Sequence, residues 1–331
     1  MTVFADKLST LVETVRLAAD GPLAALADAL RANANRPAIA IGSGGSAIMA
    51  EFFARCRTTF GHGPTTVQTP MEFVVAGDDM SGRDVWIFSA GADNPDAVAA
   101  LTAALASAAS SVTLLTVNRD GAAAVAAARD DRCRVLVAPV AERKDGFLAT
   151  HSLVAMVTCM LAAADMVSSR SGSIETVGRL ADEVERIAAA PRSIDLRLGD
   201  TVVVLHDPQC RTIATLIETS LWETAIAPVQ RADFRNFAHG RHVWAARHPD
   251  SMLVIAVTAA TSRDIWTSIR SALPATIRAV EIDLGHAGRF GTAVSIADGL
   301  DVVRALGDAA GIDPGRPGRG EFAGEIGRAH V

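Results

Sequence analysis

Lysine, paired cysteine and blocks of positive charge are scarce in this sequence. Of the 31 basic residues in the 331-residue chain, only Lys7 and Lys144 are lysines, so a mechanism that needs a Schiff-base lysine has two candidates. The formal net charge is −6, and neither a basic run nor a basic terminal arm is present. This argues against a nucleic-acid binder that works by neutralising phosphates. Half of the residues are hydrophobic and 21% are charged, which excludes a disordered chain.

Disulfide, metal and targeting signals are also lacking. The cysteines stand singly in apolar sequence, with no CxxC pair and no histidine at metal-ligand spacing: Cys56, Cys133, Cys159 and Cys210. We therefore expect buried free thiols in a reducing compartment. Asp6 and Glu13 interrupt the N-terminal segment, which predicts neither a signal peptide nor an anchor. The longest apolar stretch, Leu153–Met166, contains Thr158 and Asp165 and is short for a bilayer span. Together these features predict a soluble cytoplasmic protein.

Apolar runs typical of β-strands alternate with segments of helical periodicity. The predicted strands are Pro37–Gly42, Asp84–Ser89, Val112–Val117, Arg134–Val137, Thr201–Leu205, Met252–Val257 and Ile277–Ile282. Strands that alternate with helices over short loops predict parallel sheets covered on both faces. We therefore expect an α/β fold with two copies of one unit, each of about 150 residues. The predicted organisation is N-terminal helices in residues 1–36, a first domain in 37–190, a second in 199–311 and an irregular tail in 312–331.

A turn rich in glycine and serine, Gly42-Ser43-Gly44-Gly45-Ser46, follows the first predicted strand and opens a helix. Glycines there allow close approach of the backbone, and the N–H groups at a helix start favour an anion. The turn is not a GxGxxG motif, because Ala47 stands where the third glycine would be, and no Gly-Lys-Ser/Thr follows to make a P-loop. A helix start with a serine N-cap also explains the pattern.

A second polar turn begins at Ser89, at the end of the next predicted strand. Asp93 or Asn94 can cap the following helix, and Pro95 suits its first position. Alone, this pattern indicates only a helix start. At the carboxyl ends of neighbouring parallel strands, however, both turns would face one crevice, where open α/β sheets bind ligands.

The two turns and the duplicated plan resemble the SIS (sugar isomerase) domain family, in the tandem arrangement of the isomerase half of glucosamine-6-phosphate synthase and the fructosamine deglycases. The resemblance covers nearly the whole chain and implies two flavodoxin-like, three-layer α/β/α units with parallel sheets. In that family the two turns cradle a sugar phosphate, which implies substrate-binding roles for Gly42, Ser43, Gly44, Ser46, Ser89 and Asn94. Gly91 stands where the family has a second serine, and Asn94 where it has a threonine, so the phosphate cradle is thinner here.

The second half carries a glutamate and a histidine at a spacing typical of the same family. Glu223 lies on the predicted helix Arg211–Ala227, and His239 follows sixteen residues later within Asn236–Gly240. The resemblance implies that Glu223 moves a proton between C1 and C2 of the open-chain sugar, and that His239, contributed by the partner subunit, assists ring opening. Desolvation can raise a glutamate pKa towards neutrality, and histidine titrates in the range that ring opening needs. The alternative is that Glu223 is a solvated helix charge and His239 a loop residue.

Four further residues are candidates from their position. Thr150 and His151 start a predicted helix where the family contributes a substrate contact. Arg241 and His242 follow His239-Gly240, where the family has a proline after the glycine. They either bind an anionic substituent or sit on the surface.

The glycine-, proline- and arginine-rich tail from Ile312 is either a frayed terminus or a strap laid near a site. Its segment around Arg316 resembles the synthase's C-terminal strap, which carries a lysine over the active site. Here Arg319 occupies that region, and arginine cannot deprotonate to act as a base.

The resemblance implies an aldose–ketose isomerase or a deglycase of a sugar derivative, with a phosphorylated sugar favoured. The resemblance implies a homodimer with shared active sites, and the charge and apolar runs of the sequence predict neither nucleic-acid nor membrane partners. No metal or organic cofactor is implied, since enediol chemistry needs only proton shuttling. The alternative is a non-catalytic regulatory protein that binds a sugar phosphate, which the thinner second turn and the missing tail lysine favour.

Overall fold

The computed structural model describes residues 2–32, 34–168, 172–286, 288–318 and 320, and it divides into two compact units. The amino-terminal unit comprises Thr10–Asp145 and Ala149–Val184. The carboxy-terminal unit comprises Met1–Ser9, Gly146–Leu148 and Glu185–Pro317. The domain boundaries drawn from the sequence remain a prediction.

The chain starts with three short helices, of which the first belongs to the carboxy-terminal unit: α1 (Val3–Ser9), α2 (Leu11–Leu17) and α3 (Leu23–Ala32). In the described residues of the amino-terminal unit, five parallel strands form a sheet in the order β2-β1-β3-β4-β5. They are β1 (Ala38–Ile41), β2 (Thr65–Gln68), β3 (Asp84–Phe88), β4 (Ser111–Thr116) and β5 (Cys133–Val137). The remaining helices are α4 (Gly45–Thr59), α5 (Pro70–Ala76), α6 (Pro95–Ala106), α7 (Ala122–Ala127), α8 (His151–Ser168) and α9 (Ser173–Ala189), which continues into the other unit.

Helices cover both faces of this sheet because alternate residues of its buried strands point to opposite sides. In β3, Val85 and Ile87 join an apolar cluster with residues of α5, α6 and α7. Trp86 and Phe88 point the other way and contact Phe53 of α4, with ring centroids 4.5 and 5.4 Å from it. Each face therefore has its own core, and the unit is a three-layer α/β/α sandwich.

Helix α8 is longer than the apolar stretch noted in the sequence. Within the described ranges it is the one helix whose length and hydropathy would suit a membrane span, and 83% of it is buried inside the protein. A core helix of a soluble domain passes the same test, so its composition is explained by this packing.

In the described residues of the carboxy-terminal unit, four parallel strands follow the order β7-β6-β8-β9. They are β6 (Thr201–His206), β7 (Val229–Asp233), β8 (Met252–Thr258) and β9 (Arg278–Asp283). Its helices are α10 (Arg211–Thr224), α11 (Phe234–Asn236), α12 (His242–Arg247), α13 (Arg263–Ala272) and α14 (Gly288–Ala310), with a π-helical segment, Phe237–Arg241, between α11 and α12. The sequence predicted the central strands of both sheets, and the α/β class is confirmed.

Two strands escaped prediction, β2 and β7, and both lie at the edge of their sheet. The other two edge strands, β5 and β9, were predicted. They contain consecutive apolar residues, whereas β2 and β7 contain no two apolar residues in succession. The four cysteines are free thiols, as predicted. Three of them are also buried as predicted, whereas Cys133 is only half-buried.

Candidate active site

A pocket of about 250 Å³ lies in the amino-terminal unit at the carboxyl ends of the neighbouring strands β1 and β3. Because β2 flanks the other side of β1, the strand order changes direction between β1 and β3, and open α/β sheets bind ligands at such a switch point. The polar lining comes from the two turns that the sequence singled out: Ser43, Ser46, Ser89, Asp93 and Asn94. In the described part of the chain, no three or more His, Cys, Asp and Glu side chains are grouped so that they could hold a metal ion.

The glycines of the first turn are required by its geometry. Gly44 has φ 52° and ψ −130°, a conformation that residues with a Cβ rarely adopt. A Cβ on Gly42 would come closer than 3.0 Å to the backbone of Ser46. Gly44 is the N-cap of α4 and no side chain caps this helix, so the alternative of a serine N-cap is wrong. Ser43 and Ser46 instead line the pocket.

The second turn presents Ser89 and Asn94 to the same pocket. Ser89 is 8% exposed, and its Oγ accepts a hydrogen bond of 3.1 Å from the backbone N–H of Ala92. Asn94 caps α6 through a bond of 2.8 Å from the N–H of Asp96 to its Oδ1, which confirms one of the two predicted caps. Ala92 has φ 51°, in the left-handed region that disfavours a residue with a Cβ.

Two side chains that sequence reasoning missed hold this second turn in place. The three carbonyl groups that follow Ser89 each accept a hydrogen bond from the end of β4 or the start of α7. The donors are Thr116 Oγ1 at 2.9 Å, Asn118 Nδ2 at 2.9 Å and the backbone N–H of Ala123 at 2.7 Å. Thr116 is the last residue of β4 and Asn118 follows it, next to the end of β3. Their place at the carboxyl end of a predicted strand was the signal that could have marked both residues as neighbours of the pocket.

Thr150 and His151, the two candidates at the start of α8, are fully buried and are not among the residues that line the pocket. Thr150 Oγ1 donates a bond of 3.1 Å to Asp145 Oδ1. His151 Nδ1 lies 2.7 Å from the hydroxyl of Thr14 on α2. Both side chains therefore connect parts of the amino-terminal unit to each other.

Glu223 lies in the last turn of α10, in the carboxy-terminal unit. Its side chain is exposed, as the alternative of a solvated helix charge expects, yet desolvation of the carboxyl group by neighbouring protein atoms raises its pKa. Glu218, one and a half turns earlier, is engaged by Arg231, whose Nε lies 2.7 Å from the Glu218 carboxylate. Of these two glutamates, Glu218 is held in an ion pair and Glu223 has the raised pKa, and the catalytic role of Glu223 stays a prediction.

His239, Arg241 and His242 are exposed, on the π-helical segment and the start of α12. The chain is helical on either side of a kink at Gly240, whose φ of 164° and ψ of −26° are not helical, so His239 lies in a helical segment beside that kink rather than in an open loop. Arg241 donates a bond of 3.0 Å to the carbonyl of Arg231. Arg316, from the predicted strap, is also exposed, and Arg319 lies outside the described residues.

The equivalent switch point of the carboxy-terminal unit, between β6 and β8, is bridged by hydrogen bonds. Thr261 Oγ1 donates to Asp207 at 3.1 Å and accepts from Gln209 Nε2 at 3.0 Å. Asp207 also accepts from the backbone N–H groups of Gln209 and Cys210. These polar groups therefore satisfy one another.

No protein-family model and no curated protein matches this sequence. Solved structures match over nearly the whole chain. Tagatose-6-phosphate ketose/aldose isomerase from Escherichia coli has a TM-score of 0.75 and 15% identity, and the match covers 96% of this chain and 95% of that one. Glucosamine-6-phosphate deaminase from Thermotoga maritima has a TM-score of 0.73 and 14% identity, with 99% of both chains covered.

A third match is the C-terminal domain of glucosamine-fructose-6-phosphate aminotransferase from Francisella tularensis. Its TM-score is 0.65 at 12% identity, and the match covers 92% of this chain and 94% of that one. At such identities the likeness concerns the fold. Over nearly its whole length, this chain has the SIS (sugar isomerase) fold that the two turns and the duplicated plan predicted.

Proposed function

We propose that this protein binds a sugar derivative in the pocket between β1 and β3 and acts on it as an aldose–ketose isomerase or a deglycase. The observation that carries the proposal is the pocket itself. Its neutral hydrogen-bonding side chains, Ser43, Ser46, Ser89 and Asn94, come from two turns at the switch point of a fold that phosphosugar isomerases share. Hydroxyl and amide groups both donate and accept hydrogen bonds, which suits the hydroxyl groups of a sugar.

In the proposed reaction Glu223 is the general base. Its carboxylate takes the proton from C2 of the open-chain aldose, and an enediol forms as the carbonyl oxygen gains a proton. Glu223 then returns its proton to C1, and the hydroxyl on C2 loses its proton to become the ketose carbonyl. The raised pKa of Glu223 supports this role, because a base whose pKa lies nearer neutrality exchanges protons more effectively. In the deglycase variant the substrate is a 1-amino-1-deoxyketose: Glu223 moves the proton from C1 to C2, the nitrogen loses its proton as the C1 imine forms, and water then adds to C1 and the amine leaves, which gives the aldose.

We propose that His239 opens the sugar ring by protonating the ring oxygen. It is exposed, as a residue that serves a neighbouring subunit must be in the isolated chain. This assignment includes a homodimer whose two copies share their active sites. Arg241, His242 and Arg316 remain candidates for binding a negative substituent, because all three are exposed basic side chains.

A second candidate function is that of a non-catalytic protein that binds a sugar phosphate and regulates a partner. The observation that favours it is Gly91, which lines the pocket without a side chain at the position of the family's second serine. Binding without turnover is the property that separates the two candidates.

Turnover and binding measured on the same panel of sugars test the proposal. We expect Glu223→Gln to lose at least a hundredfold in kcat while it keeps its affinity, since general-base catalysis contributes roughly 10²–10⁴-fold. Glu175→Gln, the same change at an exposed position of α9, should leave both quantities unchanged. Binding by the wild type that Ser89→Ala weakens, without turnover of any sugar, would support the non-catalytic alternative instead.

A further inference from the structure

We infer that Asp93 makes the pocket select a sugar derivative that presents a hydroxyl or ammonium group, rather than a phosphate, to the second turn. The inference rests on the proposed function, because it names the class of ligand that the same pocket takes. The inference differs from what the resemblance to the SIS family implies, because in that family the second turn binds a phosphate.

The first support is the charge of the pocket. The described residues that line it include no lysine, arginine or histidine, and Asp93 is their one charged side chain. A second acid, Asp96, lies in the first turn of α6, close to the Asn94 cap. One of its carboxylate oxygens is buried and has no hydrogen-bond partner among the described residues. The start of α6, where a bound anion would be favoured, therefore already carries negative charge.

The second support is the place that the Asp93 carboxylate occupies. A Cβ built on Gly91 would come closer than 3.0 Å to Asp93 Oδ1. The carboxylate is thus folded back into the space that a side chain at position 91 would fill. A serine at position 91 would therefore have to displace the carboxylate, whereas Gly91 leaves that space to it.

The third support is that hydrogen bonds fix the backbone of the turn that carries Asp93. Hydrogen bonds from Thr116, Asn118 and the N–H of Ala123 hold the three carbonyls before it. A Cβ on Gly121 would come closer than 3.0 Å to the carbonyl of Gly91, so α7 packs directly on the turn. A ligand in the pocket therefore contacts the Asp93 carboxylate on a turn whose backbone is held by hydrogen bonds.

The chemistry of the ligand follows from this arrangement. A phosphate ester carries about −1.5 to −2 charges at neutral pH, and the negative charge of Asp93, which is exposed at the pocket, repels it. A hydroxyl or an ammonium group would instead donate a hydrogen bond to the carboxylate, and a charged donor makes the stronger bond. The hydroxyl groups of Ser43, Ser46 and Ser89 can bind the remaining polar atoms of such a ligand in either direction.

Calorimetric titration with matched pairs of ligands tests the inference: fructose with fructose 6-phosphate, and glucosamine with glucosamine 6-phosphate. We expect the wild type to bind the unphosphorylated member of a pair at least tenfold more tightly. In Asp93→Asn the affinity for the phosphorylated member should rise at least tenfold, which is about 1.4 kcal/mol. Asp131→Asn, the same charge change at an exposed position of the amino-terminal unit, should leave the preference unchanged.

The two proposals fail in different ways. Tighter binding of the phosphorylated member by the wild type, with the same preference in Asp93→Asn, would overturn this inference and leave the proposed function standing. Binding of neither member to the wild type or to a folded Asp93→Asn would overturn the proposed function and this inference with it.

Discussion

The side-chain amide of Asn118 donates a hydrogen bond of 2.9 Å to the backbone carbonyl of Gly91. Asn118 follows β4 and Gly91 follows β3, so the bond joins the ends of two neighbouring strands at the edge of the pocket. Together with the bond from Thr116 to Ala90, it fixes the second turn in the shape that presents Ser89 to a ligand. The sequence alone shows neither contact.

Loss of this bond should weaken ligand binding more than it weakens the fold. We expect Asn118→Ala to lower sugar affinity about tenfold, while the free energy of unfolding falls by about 1 kcal/mol, the usual contribution of one hydrogen bond. Calorimetry and denaturant unfolding measure the two quantities. Asn35→Ala, the same change at an exposed position that does not line the pocket, is the control. Unchanged affinity in a destabilised Asn118→Ala would reduce Asn118 to a purely structural residue.

The raised pKa of Glu223 has a consequence for the pH dependence of turnover. A general base acts when it is ionised, so the rate falls as the pH drops through its pKa. Because burial raises that pKa, we expect the acid limb of kcat/KM to lie above the ordinary glutamate value of about 4.3. A pH profile at constant ionic strength measures it. An acid limb at the ordinary value would show that another group, or an unperturbed Glu223, supplies the base.

A shared active site predicts that two inactive variants can rescue each other. We expect His239→Ala and Glu223→Gln to be inactive separately and to recover about a quarter of wild-type activity after subunit exchange, because half of the randomly formed dimers then hold one complete site. Light scattering should show a dimer throughout. If mixing restores nothing although the subunits have exchanged, His239 serves the chain that carries it or has no part in the reaction.

Ala225 offers a stability test that does not involve the pocket between β1 and β3. It ends α10 in the left-handed conformation, with φ 52°, and it is exposed. Glycine adopts this conformation without the Cβ penalty, so Ala225→Gly should stabilise the protein by about 0.5–1 kcal/mol. Ala246→Gly, at an exposed position within α12, should destabilise it by a similar amount, about 0.5–1 kcal/mol. Thermal unfolding of both variants checks the opposite signs.

The central strands and the two turns could be predicted from the sequence because their signals are local. The run from Ala38 to Ile41 is apolar throughout, since both faces of this strand are covered. The glycines that follow it indicate a tight turn of the backbone. Local patterns likewise marked Ser89 and Asn94 at the end of the next buried strand. The strands β2 and β7 had no such signal, because neither contains two apolar residues in succession.

Only the tertiary structure decided two kinds of feature: contacts between residues far apart in the chain, and the direction in which a side chain points. His151 and Ser89 are both polar residues next to a buried element. His151 turns inward to Thr14, 137 residues away, whereas Ser89 lines the pocket. The hydrogen bond from Asn118 to Gly91 depends on which strands are neighbours. The position of the Asp93 carboxylate next to Gly91 depends on one side-chain rotamer. Sequence periodicity determines which faces are buried, because burial follows apolar area, but directional polar contacts form only once packing has brought their partners within hydrogen-bond distance.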